Sequence, residues 1–187
     1  MERLERYLVE YCAPTLASLK TASLFSCPKE MLPGLCGSLA RLNRCFREKG
    51  IRLCLLRKKG SALVYVYRSG ELKRDLMVPE AKQILANYGY STKEEEGAIA
   101  RLRERLMEGG EFPHEIGLFL GYPPGDVKGF IRYGGRCCKC TGCWKVYGDE
   151  VKAKQAFAMF ERCKKAYLRL WQEGESIMQL AMAVPQD

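Results

Sequence analysis

Between Arg136 and Trp144 the chain reads Cys137-Cys138-Lys139-Cys140-Thr141-Gly142-Cys143, four thiols within seven residues. Cys137, Cys140 and Cys143 make a C-x2-C-x2-C run, and Gly142 gives the backbone freedom to wrap around a centre. Thiolates at this spacing suit a soft metal, because zinc takes four tetrahedral ligands and an iron–sulfur cluster usually takes four thiolates. Two or three local cysteines with a distant one, Cys163 or Cys12, would complete either set. The ferredoxin-like fourth Cys-Pro is missing, since Tyr147-Gly148 stands there, and so is the second, well-separated ligand pair of a structural zinc site. The same residues contain a CxxC, Cys140 to Cys143, which makes thiol redox a further reading. It runs into Trp144-Lys145-Val146-Tyr147, a strand pattern, so no helix dipole activates the first thiol; Arg136, Lys139 and Lys145 are the neighbouring cations. The plain alternative is a reduced cysteine-rich loop.

A second constellation is catalytic. The chain has one histidine, His114, followed by Glu115. An imidazole beside a carboxylate can serve as base and orienter for a cysteine nucleophile, and Cys12, just before Ala13-Pro14-Thr15, is the candidate partner. That reading predicts a hydrolase or acyl transferase using Cys12, His114 and Glu115. Against it, His114-Glu115 can simply open a turn packed by Ile116, Phe119 and Leu120. Cys163 likewise falls on an apolar helix stripe and reads as core as readily as ligand. Cys27-Pro28 resembles haem-regulatory thiolate dipeptides but equally marks a helix start. Gly117, Gly121, Gly125 and Gly129 recur at every fourth position without a following Gly-Lys-Ser/Thr, so packing or turns account for them.

Composition narrows the setting. A chain of 187 residues, 47% hydrophobic and 28% charged, can build one core without staples, so a single domain over 1–187 is expected and its ten cysteines are not needed as cross-links. No run of 18 apolar residues exists, and the start MERLERYLVEYC alternates charged with apolar residues, so neither a membrane span nor a secretory signal is expected. The expected location is the cytoplasm, where thiols stay reduced. The net charge is +9, and residues 1–60 hold 12 Lys and Arg against 5 Asp and Glu. That bias favours an anionic partner, nucleic acid included, and makes a basic adaptor a third functional reading.

The elements that must position these residues follow from periodicity. Leu4, Tyr7, Leu8 and Tyr11 predict a helix ending before Pro14, because the residue preceding proline is pushed out of the helical region. Leu35, Leu39, Leu42 and Phe46 predict a second helix stopping at Gly50. Residues 51–56 and 62–68 are rich in strand formers and flank Arg57-Lys58-Lys59-Gly60-Ser61, an antiparallel hairpin. Pro79 opens a helix closing near Gly89. Thr92 and Glu95 predict a capping box for a helix bearing Ile99, Leu102 and Leu106 and ending at Gly109-Gly110. Asp126 is expected to cap a short helix through Ile131, residues 143–148 to form a third strand, and Asp149 to cap a long helix with Ala153, Ala156, Phe160, Cys163, Tyr167 and Leu170 on one side. A last short helix follows Ser176. The expected class is α+β, mostly helical.

Three strings carry a resemblance: Cys12-Ala13-Pro14-Thr15-Leu16 with Lys20, HEIGLFLGYPPGDVKGF from His114 to Phe130, and WKVYGD from Trp144 to Asp149. In these the chain resembles an uncharacterised family of small proteins from clostridia and related anaerobic bacteria, over nearly its whole length. The resemblance implies a cytoplasmic protein of anaerobes, where reduced thiols and iron–sulfur chemistry are easily maintained; it implies no activity. Cys137-Cys138 lies outside these strings. The leading expectation is therefore binding of zinc or iron, as an Fe–S centre or otherwise, or thiol redox, through Cys137, Cys140, Cys143 and Cys163.

Overall fold

A computed structural model describes residues 2–58, 61–108 and 111–182. The first helix, α1 (Glu2–Leu16), buries Leu4, Leu8, Cys12 and Leu16, one residue every fourth position. It does not end before Pro14, which lies inside it. A proline in a helix interior costs about 3 kcal/mol through its missing N–H and its crowding of the preceding turn. Burial of Ala13, Leu16 and Ala17 offsets that cost, so Cys12 sits mid-helix in the core and not at a helix end.

Next comes β1 (Ala22–Cys27), which no simple alternation announces. The second helix, α2 (Leu35–Phe46), buries the four expected residues and gives way through a short 3-10 turn to Gly50, whose φ of +66° suits glycine. Strands β2 (Ile51–Lys58) and β3 (Ser61–Arg68) form the expected antiparallel hairpin; Lys59 and Gly60 of its turn lie outside the described residues. Helices α3 (Ser69–Met77), α4 (Pro79–Ala86) and α5 (Glu95–Met107) come after it. The capping box expected at Thr92 and Glu95 does not form. The N-cap is Glu94, without a side-chain cap, and the Glu95 carboxylate accepts instead from the Ser69 hydroxyl at 2.5 Å. The expected stop at Gly109-Gly110 lies outside the described residues.

The remaining elements are α6 (Ile116–Phe119), α7 (Pro124–Tyr133), the two-residue strands β4 (Cys140–Thr141) and β5 (Lys145–Val146), α8 (Glu150–Gln172) and α9 (Ile177–Leu180). Asp149 caps α8 as expected, accepting from the Lys152 amide at 3.0 Å. Ser176 and Gln179 form a full capping box on α9.

The main sheet has the order β1-β3-β2, antiparallel throughout, with Ala22 opposite Tyr67 and Ile51 opposite Arg68. Phe25, Ile51, Leu53, Val64 and Val66 pack with the buried residues of α1, α2 and α9 and with α8. On the other face, Leu56, Leu63, Tyr65 and Tyr67 pack with α3, α4, α5, α6 and α7. Central β3 is covered on both faces, which is why it reads as an unbroken apolar run. The class is α+β and mostly helical, as expected. Among the described residues no helix is long and apolar enough to cross a membrane.

Candidate ligand pocket and its cysteine ribbon

The site grows from the first turn of α7. Pro123 and Pro124 start that helix, and Asp126 sits in its first turn, 3% exposed. An acid there is expected to cap its own helix. Asp126 instead reaches across the fold: Oδ2 accepts from Trp144 Nε1, and Oδ1 accepts from the amides of Tyr147 and Gly148, each at 2.7 Å. A carboxylate with three donors is well satisfied without a cation, and it fastens residues 144–148 onto α7. This also corrects the strand expected over 143–148. Pairing is confined to Cys140 with Val146 and Thr141 with Lys145, because the next two amides belong to Asp126.

Small residues bring the ribbon close. A Cβ at Gly142 would overlap the Phe157 ring of α8, and one at Gly129 would overlap Tyr147. Trp144 stacks on Tyr122 with centroids 4.9 Å apart and meets Phe157 edge-on at 4.5 Å. The Tyr122 hydroxyl donates to the Cys143 carbonyl at 3.2 Å, and Lys139 Nζ donates to the Gly148 carbonyl at 2.6 Å.

Between α6, α7 and this ribbon lies a cavity of about 350 Å³. Its walls are mainly apolar and aromatic: Phe112, Ile116, Tyr122, Val127, Phe130 and Trp144. His114, Thr141 and Lys145 supply polar groups beside Asp126. The half-buried His114 imidazole lies edge-on to Phe130, centroids 4.9 Å apart, and makes no hydrogen bond among the described residues. Lys145 Nζ donates to the Gly135 carbonyl at 2.6 Å and stands 5.9 Å from the Phe130 ring centre.

The other expected site residues disperse. Glu115, 1% exposed, turns away from His114 and accepts at Oε1 from the Tyr90 hydroxyl and from Arg105 Nε, both at 3.0 Å. It is a buried ion-pair member and not the orienter of the imidazole. Cys12 is fully buried in the α1 layer, on the opposite side of the sheet from the elements that carry His114. Burial pushes its thiol up to about 12, only partly countered by the Lys20 ammonium and the Ser23 hydroxyl, the reverse of what a nucleophile needs. The structure thus does not bring Cys12, His114 and Glu115 together.

The cysteines of the ribbon differ in exposure and surroundings. Cys137 and Cys143 are exposed, while Cys138 and Cys140 are partly so. Cys143 has Lys20 as an electrostatic neighbour, Cys140 has Lys154, and Cys137 and Cys138 have Tyr147. Cys163 packs against the α1 layer, and burial raises its thiol to about 11. It lies six residues beyond Phe157, the α8 residue that Gly142 of the ribbon approaches, about 9 Å further along the axis. Among the described residues no three His, Cys, Asp or Glu side chains are grouped to hold a metal.

Sequence reasoning missed Asp126 as an anchor, and missed Tyr122, Phe130 and Trp144 as walls. The only local sign was the Gly-Tyr-Pro-Pro-Gly-Asp turn, which says where α7 begins and nothing about what its acid reaches.

The fold and site define a three-stranded antiparallel sheet clad by helices on both faces, with an aromatic pocket closed by a cysteine-bearing β-ribbon. The chain belongs to the family described as Protein of unknown function (DUF3793), which matches residues 8–181. No curated protein and no solved structure matches it.

Proposed function

We propose that the protein binds a small molecule in the cavity between α6, α7 and the ribbon. One observation carries this: a 350 Å³ apolar cavity, lined by aromatic rings, holds an imidazole that no protein group hydrogen-bonds among the described residues. Ligand pockets combine mostly apolar walls with a few convergent polar groups, and typically span about 300–1,000 Å³. The volume here suits a one- or two-ring body.

The test is ligand-observed NMR with a set of mono- and bicyclic aromatic compounds on the purified protein. Thr141→Trp, at an exposed rim position, serves as the plugged control. Binding to the parent and its loss in Thr141→Trp are expected. Absence of binding, or equal binding to the plugged protein, overturns the reading.

A second reading, soft-metal capture or thiol redox by the ribbon, draws support from four solvent-reachable thiols between 137 and 143. A metal would require the ribbon thiols to draw together, since no three potential ligands are grouped among the described residues. Anaerobically purified protein is then expected to carry zinc or iron that Cys140→Ser with Cys143→Ser removes. Failure to take up either metal on reconstitution sinks the metal form of that reading.

A further inference from the structure

The polar inventory of the pocket is lopsided. Its one carboxylate, Asp126, already accepts three hydrogen bonds. Its donors are less committed. Among the described residues Lys145 Nζ has one hydrogen-bond acceptor, the Gly135 carbonyl, and an ammonium carries three protons. The His114 ring, which offers an N–H in either tautomer, has no hydrogen-bond partner among the described residues. Both groups line the cavity and border Phe130, with the His114 ring centroid 4.9 Å and Lys145 Nζ 5.9 Å from that ring's centre. A ligand that fills such a site must bring acceptors, and an ionised acceptor gains most from an ammonium in a mostly apolar, partly desolvated setting.

We propose that the ligand is a planar aromatic acid, its ring body against Tyr122, Phe130 and Trp144 and its anionic substituent on Lys145 and His114. This rests on the reading of the cavity as a ligand site and names the class of ligand. The rings supply apolar contact, and the Lys145 ammonium with the His114 N–H selects the charged substituent.

Isothermal titration of the full chain with matched probes tests it. 1-Naphthoate and 1-naphthalenemethanol share a ring system and differ in charge; cyclohexanecarboxylate keeps the charge without the aromatic body. The acid is expected to bind at least tenfold more tightly than the alcohol, with cyclohexanecarboxylate weaker than both. Lys145→Met should bring the acid down to the affinity of the alcohol, while Lys145→Arg keeps the preference. Equal binding of acid and alcohol to the parent protein overturns the inference and leaves the cavity reading standing, with no variant needed. Retention of the acid's preference in Lys145→Met also overturns it. If neither aromatic probe binds, the cavity reading fails and the inference with it.

Discussion

At the scale of single residues, Asp126 holds the site together. Its three hydrogen bonds come from one indole and two backbone amides that lie 18 to 22 positions away. An Asn side chain keeps the volume but has one accepting oxygen and an NH2 group that would face a donor. Asp126→Asn is therefore expected to cost about 2–3 kcal/mol, the range for a hydrogen bond to a charged group together with an unpaired buried donor. Urea unfolding measures the loss, and a red-shifted Trp144 emission should accompany it, read in a Trp171→Phe background. A loss below about 0.5 kcal/mol, typical of a surface substitution, would mean that other contacts hold the ribbon. His114 and Glu115 make the contrast: neighbours in the chain, they turn to different partners, one into the cavity and one to Arg105 and Tyr90.

At the scale of elements, the β4–β5 ribbon is too short to stand alone, since isolated two-stranded hairpins are marginal in water. It is held by α7 through Asp126 and by α8 through the close approach of Gly142 to Phe157. Gly142→Ala places a methyl in the ring, and overpacking of this kind costs about 1–3 kcal/mol. Combining it with Phe157→Leu should recover part of that loss, because the smaller side chain vacates the overlap. Thermal unfolding of the four proteins in the cycle gives the coupling; strict additivity would show that the two residues do not meet. A ribbon displaced from α8 would also open the cavity wall at Trp144.

At the scale of the molecule, buried thiols tie stability to pH. Burial raises Cys12 to about 12 and Cys54 to about 11, whereas an unfolded cysteine titrates near 8.5. Above that value the unfolded chain releases protons the folded protein keeps. The stabilisation is fully present below about pH 8 and falls as pH rises, by roughly 1.4 kcal/mol per unit for each such thiol until the native thiol itself ionises. Replacing Cys12 and Cys54 with alanine should flatten the decline between pH 8 and 10.5 in urea unfolding; an unchanged slope would mean that neither thiol is shielded. Arg68, 1% exposed, closes the molecule from another direction. It donates to the Thr15, Leu16 and Met182 carbonyls at 2.7 to 2.9 Å and to Lys49 at 3.3 Å, joining the end of α1 to the C-terminal segment.

The local code was enough for the elements whose contacts are local. Leu35, Leu39, Leu42 and Phe46 marked the buried side of α2, the β2–β3 hairpin was plain in its strand formers, and Asp149 and Ser176 announced the starts of α8 and α9. These depend on residues a few positions apart, where periodicity and capping operate. Cys12 reads locally as a helix-boundary residue, candidate nucleophile or ligand, because Pro14 argues for a stop there; the continued helix places it instead on the buried side with Leu4, Leu8 and Leu16. Tertiary structure alone decided the rest. It carried α1 through Pro14 by burying Leu16 and Ala17 beyond it, added β1 beside a strand some 40 positions later, and gave Asp126 to the ribbon and not to its own helix. It also left the four neighbouring cysteines outside any grouping of three potential metal ligands among the described residues. Each outcome turns on partners far off in the chain. Spacing along a sequence records which side chains are near in number, and only packing determines which of them meet.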